Sequence, residues 1–212
     1  MKILNLYACL GGNRYKWNEV KEDIEVTAVE LDKEAARLYQ ERFPNDRVIV
    51  GDAHQYLLDH YKEYDFIWSS PPCPTHSKLA ISMKNKRKMK YPDMKLYQEI
   101  IFLDNFFEGK YCVENVISYY KPLIPAKKRG RHLYWTNFNL PNKIGRKNVD
   151  NFAKATVESL SNYHDYNFRK YKGKKDKRTM GKNLVDYEAG KTIFETMLGI
   201  VKKENINQIE LF

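Results

Sequence analysis

The sequence is poor in cysteine. It has three, Cys9, Cys73 and Cys112, and an odd number at wide spacing excludes a disulfide framework. No pair stands at zinc-knuckle spacing and the five histidines add no ligand cluster, so no metal is expected. Long apolar runs are missing too. The opening MKILNLYACLGG meets its glycines well short of the roughly 18 apolar residues a spanning helix requires, and no cleavage pattern follows it. Acidic residues are the minority charge, 27 against 37 basic, for a net charge of +10. These absences describe a soluble, cytoplasmic protein with no membrane partner, whose thiols stay free in a reducing compartment. What is present is globular composition. The 212 residues are 42% hydrophobic and 14% aromatic, enough for one domain with a core and a small appendage.

The basic excess is clustered, at 84–90 (KNKRKMK), 127–131 (KKRGR) and 169–182 (RKYKGKKDKRTMGK). The first and third interleave poorly with apolar residues and read as exposed loops. That favours a polyanionic partner, nucleic acid, over a generally solvated face.

Residues 2–8 (KILNLYA), 24–30 (IEVTAVE), 48–50, 65–69 (DFIWS), 110–114 (KYCVE) and 131–137 (RHLYWTN) read as strands. Helical spacing fills 31–43, 53–64 and about 92–107, and residues 14–20 read as a further helix start. This alternation predicts an α/β fold with a doubly wound, mostly parallel sheet. Ligands bind such sheets at the carboxyl ends of the strands, where Gly11, Gly12, Glu30, Asp52, Cys73 and Glu114 fall. The expected organisation is a main domain over 1–140 and a small basic segment over 141–186 that contacts substrate. A helix over 187–203 then packs back, and a tail covers 204–212.

The Gly11-Gly12 turn allows close approach of a ligand. Glu30 ends the second strand, the usual partner of ribose hydroxyls. Asp52 ends the third and is placed for an adenine amino group. Together they point to an adenosine-bearing ligand, although Glu30 also reads as a solvated strand end and Asp52 as a helix N-cap. Ser69-Ser70-Pro71-Pro72-Cys73-Pro74 is a stiff loop that aims a thiol over the cleft. This favours covalent attack, the alternative being an inert small core residue. Glu114 faces the same cleft. Arg129 and Arg131 enter the next strand, where a guanidinium near the cysteine lowers the thiol pKa; a plain surface or phosphate contact is the other reading of Arg131.

In this order, LNLYACLGG, VELDKEAARLYQERFP, GDAHQYL, DFIWSSPPCPTHS, VENV and KKRGRHLYWTNF resemble the cytosine-5 DNA methyltransferase family over roughly residues 2–140. The chain is similar to its small bacterial or phage members with a short recognition region. The pairing of Pro-Pro-Cys with Glu-Asn-Val is specific; the glycine turn is not. The resemblance implies the fold of S-adenosylmethionine-dependent methyltransferases, S-adenosyl-L-methionine as donor with S-adenosyl-L-homocysteine as product, and double-stranded DNA as substrate. It implies a cytosine flipped into the pocket, Cys73 adding to ring carbon 6, Glu114 on the N3 and amino edge, and Arg131 on O2 with Arg129 beside it. Tyr7, Gly11, Gly12, Glu30, Leu31, Asp52, Ala53 and Pro72 form the implied cofactor set. Ser77, Lys78, Lys174, Lys175 and Arg178 are the candidate DNA contacts.

Asn5, Cys9, Pro74 and Lys127 depart from the family pattern, and its late asparagine motif is not recognisable. The short recognition segment predicts short or relaxed sequence specificity. A tRNA-type cytosine methyltransferase, a catalytically silent DNA-binding module, and an enzyme using a modified donor are the alternative readings. The tail QIELF, with Gln208, Leu211 and Phe212, resembles the short motif by which bacterial proteins bind the sliding clamp, and would tether the chain near new DNA. A tail packed on its own domain is the plainer reading.

Overall fold

The computed structural model describes residues 1–78, 81, 91–147, 149 and 152–200. The basic run at 84–90 and the tail residues Gln208, Leu211 and Phe212 lie outside the described residues. Strands β1 (Lys2–Leu6), β2 (Glu25–Glu30), β3 (Arg47–Val50), β4 (Phe66–Ser69), β5 (Lys110–Val116), β6 (Lys127–Arg129) and β7 (His132–Thr136) form one seven-stranded sheet. Its order is β3-β2-β1-β4-β5-β7-β6. Strands β1 to β5 pair in parallel, and β7 runs antiparallel to both β5 and β6. The sheet is thus mostly parallel, with helices against both faces. No described helix is long and apolar enough to cross a membrane.

Alternation of side chains along each strand sorts the core into two layers. Leu4, Leu6, Ile67 and Val113 pack against α2 (Ala53–His60) and α3 (Lys95–Phe106) through Leu57, Leu96, Ile100 and Leu103. Ile3, Phe66, Trp68 and Cys112 face the other way, onto Ile193 and Phe194 of α6 (Tyr187–Met197) and onto Trp17. Trp17 stacks on Phe194 with centroids 5.3 Å apart. Burying Ile193 and Phe194 fastens α6 by about 3–6 kcal/mol. Helix α6 also touches the loop after β1: a Cβ on Gly190 would meet the Asn13 carbonyl oxygen at 2.2 Å.

Asp32 and Asp52 cap α1 (Lys33–Arg42) and α2, each accepting two backbone N–H groups from the first turn. The segment 141–186 carries α4 (Val157–His164) and α5 (Lys177–Asn183), two short helices that the sequence pattern did not show. Leu160, Phe168, Tyr171, Met180 and Leu184 bury themselves against Leu10, Ala35 and Leu38, so this segment shares a core with α1. The run 169–182, read as an exposed loop, is in its second half the helix α5, with Met180 and Gly181 buried. Residues 14–20, read as a helix start, hold only a short 3-10 turn at Trp17–Glu19.

Candidate active site

One cavity of about 450 Å³ opens along the carboxyl ends of β1, β2, β4 and β5, within the range of small-ligand sites. Tyr7, Gly12, Glu30, Leu31, Asp52, Ala53, Pro72, Cys73, Glu114, Arg131 and Lys175 all line it. Residues far apart in sequence are therefore brought together by the strand order.

The floor is the turn after β1, which runs through left-handed backbone at Tyr7, Cys9 and Gly11 (φ 55°, 49° and 70°). Such angles are costly for side chains with a Cβ and need support from their surroundings. Tyr7 gets it from Glu99, whose carboxylate accepts its O–H at 2.5 Å. Glu99 has no exposed surface; it also accepts the Ser69 hydroxyl at 2.7 Å and meets His54 Nδ1 at 3.0 Å. The sequence does carry a signal for this residue. Glu99 is a carboxylate on the buried stripe of Leu96, Ile100 and Leu103, a place an ionisable group occupies only with partners.

Gly11 is not among the lining residues. Its positive φ and the Phe43 and Tyr39 rings, 2.3 and 2.8 Å from a built Cβ, account for it. Gly12 lines the cavity, yet its closest constraint is the Val185 carbonyl at 2.3 Å. Both glycines are demanded by packing within the chain. Asn5 is fully buried and accepts from Asn13 at 2.8 Å.

Glu30 is 8% exposed and accepts Cys9 N–H and Asp32 N–H, each at 2.8 Å, one on each oxygen. Each oxygen keeps a second lone pair. Leu31 beside it is 73% exposed on the cavity wall. Asp52 spends one oxygen on capping α2 and presents the other 3.7 Å from Lys95 Nζ. The N-cap reading of Asp52 is thus observed, and its second oxygen stays on the cavity side of the cap.

The Pro-Pro-Cys loop is fixed from below: Asn115 donates to the Pro71 carbonyl at 2.9 Å and Ser70 N–H to Leu6 at 3.4 Å. Burial pushes the Cys73 thiol up to about 11, and the Glu114 carboxylate adds to the rise. Glu114, 6% exposed, has His132 Nε2 3.5 Å away. Arg131 lines the cavity but stacks on Phe152, its guanidinium carbon 3.5 Å from the ring centroid. The expected lowering of the thiol pKa by a neighbouring arginine is therefore not what the structure shows: the thiol stands high. Arg129 does not join the site. It donates to the carbonyls of Pro141, Leu140 and Lys128, and so staples the turn that follows β7. Ser77 bridges to Ser118, and Lys78, Lys174 and Arg178 stand outside the cavity lining. Lys182 and His76 line it without having been singled out.

The family model for C-5 cytosine-specific DNA methylases matches residues 1–117. No curated protein matches the chain. Among solved structures, a DNMT2 mutant from Spodoptera frugiperda is 27% identical over 54% of this chain and 35% of its own, with a TM-score of 0.40. The methyltransferase EhMeth from Entamoeba histolytica is 10% identical over 96% and 99%, at a TM-score of 0.49. A putative methyltransferase, yhhF, from Escherichia coli is 16% identical over 64% and 73%, at 0.40. The chain thus spans about a third of the length of the DNMT2 structure it matches. With the family model covering more than half of its residues, the chain belongs to the C-5 cytosine-specific DNA methylase family.

Proposed function

We propose that the chain transfers a methyl group from S-adenosyl-L-methionine to carbon 5 of a cytosine flipped out of double-stranded DNA, through a covalent Cys73 adduct. The observation that carries this is the sharing of one cavity by Cys73 and Glu114 with the adenosine-type set Tyr7, Glu30, Leu31 and Asp52. The donor fits that set by chemistry. Glu30 has free lone pairs for ribose hydroxyls, Leu31 offers an unpartnered apolar surface for a purine face, and Asp52 has a carboxylate oxygen beyond its capping bonds. When bound there, the donor supplies an electrophilic methyl group.

The chain's own residues account for the rest. The Cys73 thiol gives up its proton to water, its sulfur bonds to ring carbon 6, and the ring electrons shift toward carbon 5. Glu114 holds the N3 and amino edge and steadies the proton that N3 shares as charge moves. Arg131 reaches O2 once its stack on Phe152 opens. After transfer, carbon 5 loses its proton to a base, the electrons return, and the carbon–sulfur bond breaks to free Cys73. A nucleic acid as the polymer is supported by the net charge of +10 and by Lys175 and Lys182 at the cavity. The tail beyond residue 203 is proposed as the sliding-clamp tether.

Trapping on duplex DNA containing 5-fluorocytosine, with donor present, tests this reading. Fluorine at carbon 5 cannot leave as a proton, so the adduct persists. The expected result is a denaturation-resistant complex that Cys73→Ala abolishes while donor binding by calorimetry is retained. A complex on transfer RNA alone would move the substrate to RNA, and none on either would refute the covalent mechanism.

A further inference from the structure

Helix α3 is apolar on both sides. Leu96, Ile100 and Leu103 enter the core against the sheet. The opposite side carries Met94 at the N-cap, then Ile101, Phe102 and Phe106 at helical spacing. Met94, Ile101 and Phe106 are each more than half exposed. So is Leu123 beside them, whose N–H donates to Tyr97 Oη at 3.3 Å. A groove of about 420 Å³ runs along this side, lined by Met94, Tyr97, Gln98, Ile101, Phe102 and Phe106. Phe106 leans on Phe102 with centroids 5.5 Å apart, and Phe102 on Tyr61 at 4.8 Å, so the ridge is braced from within the chain. A helix apolar all round belongs between two packed layers, and an exposed apolar patch on one side of it marks a binding surface.

The order of polar residues along α3 says what covers this side. Lys95 opens the helix, Gln98 and Asn105 lie on its exposed face, and Glu108 follows its end; all four are exposed. Laid antiparallel on its own copy and centred between Ile101 and Phe102, the helix sets Ile101 against Phe102 of the second copy. The same register sets Gln98 against Asn105 of the second copy and Lys95 against its Glu108, each twice by symmetry. The amides can donate and accept across the seam. The end charges are of opposite sign, and antiparallel helices bring opposite dipole ends together. Lys95 Nζ stands 3.7 Å from an Asp52 oxygen, but both side chains are about half exposed and an ammonium has further N–H groups to give. Four side chains more than half exposed, doubled by a two-fold axis, approach the roughly 1,000 Å² that a specific interface requires. The tail 204–212 is the other apolar segment to weigh. It follows Ile200 at the end of α6, where Met197 and Leu198 pack on the opposite face of the sheet from α3.

We propose that this side of α3 is a self-association surface, through which the chain pairs with a second copy of itself, α3 against α3 about a two-fold axis. The pairing needs neither the donor nor nucleic acid and is independent of the methyl-transfer reading. Its size puts it among the weak interfaces, with a dissociation constant of about 10 µM.

The test is analytical ultracentrifugation of the full chain from about 1 to about 200 µM, a range that brackets that constant. Salt at about 0.15 M screens two copies of net charge +10 from each other. The expected result is a shift from monomer to dimer as concentration rises. Ile101→Glu, at an exposed position, is expected to leave monomer throughout. Lys95→Glu and Glu108→Lys are each expected to weaken pairing about tenfold, and the two together to restore it, which damage to the fold would not do. Monomer at every concentration would overturn the proposal. So would a dimer that Ile101→Glu and the single charge reversals leave intact. Leu211→Glu with Phe212→Glu in the full chain reads the tail, and an unchanged dimer is expected. A dimer lost with that change, or one that appears only with it, would give the groove to the tail and overturn the pairing of α3 with α3.

Discussion

Glu99 receives Tyr7, Ser69 and His54 inside a core where its carboxylate has no contact with solvent. A buried charged group of this kind stabilises only as long as its partners are in place, and removing one member strands the others. Tyr7 is the member with most at stake. Its backbone is held at φ 55° and its ring lines the proposed cofactor end of the cavity. Glu99→Ala is therefore expected to cost about 2–4 kcal/mol of stability in chemical denaturation. It is also expected to weaken donor binding about tenfold in calorimetry, because the turn that carries Tyr7, Ala8 and Cys9 relaxes. Glu99→Gln has the same shape and keeps an acceptor, so its effect should be the smaller. Stability lost with donor affinity untouched would show that Glu99 serves the core alone.

At the scale of elements, the strands and the helices α1 to α3 were legible because their burial follows a simple period. Strand β1 alternates between the two helical layers, and α1 has Asp32 before it and buries Ala35, Ala36, Leu38 and Tyr39 on one face. Cys73 and Glu114 were legible because one follows and the other stands near the end of a strand whose apolar run is unmistakable. Helices α4 and α5 were not. They are seven or eight residues long, and the core that Leu160 and Met180 enter takes in Leu10, Ala35 and Leu38, more than a hundred residues earlier in the chain. Strand β6 was hidden for a related reason. Its KKR sequence reads as solvated, yet Lys127 Nζ is spent on Thr136 and Phe138 oxygens across the hairpin, and Gly130 at φ 56° makes the turn. Arg129 entered the expected site through the resemblance, whereas its guanidinium is taken up by the Leu140 and Pro141 carbonyls.

Helix α4 makes a prediction of its own. His164, in its last turn, is 2% exposed, with its ring edge-on to Tyr163 and Phe168. Burial lowers it from 6.5 to about 4. A base whose folded pKa is depressed is protonated first in the unfolded chain. The stability it protects is thus present above about 6.5 and is lost as pH falls toward 4. The loss over that window should approach about 3 kcal/mol. His164→Gln should flatten the fall when unfolding is followed from pH 7 to 4, and an unchanged slope would assign the acid sensitivity to other groups.

For the whole molecule, the question is how a protein of net charge +10 divides its cations between holding itself together and holding a polyanion. Carboxylates stand at the strand ends of the cavity, Glu30, Asp52 and Glu114, whereas Lys175 and Lys182 stand on the wall given by the segment 141–186. The proposed function requires a nucleic acid backbone to lie on that wall with its base toward Cys73. Lys182 donates to the Ala153 carbonyl and stands over the Phe152 ring, and Lys175 sits 3.9 Å from Asp32. Lys127, by contrast, is saturated by three oxygens within the hairpin. The two kinds of cation predict opposite signatures. Lys175→Ala and Lys182→Ala should weaken duplex binding alike for all sequences, and each should reduce the slope of log affinity against log salt by about 1. Their thermal stability should stay close to that of the unaltered chain. Lys127→Ala should leave the salt slope where it is and lower stability by about 1–3 kcal/mol through the carbonyls it strands. Fluorescence titrations at a series of salt concentrations, run beside thermal unfolding, separate the two. If Lys127→Ala changed the slope and the cavity lysines did not, the polyanion would have to lie along the β6–β7 hairpin, and the wall formed by 141–186 would be excluded as the recognition surface.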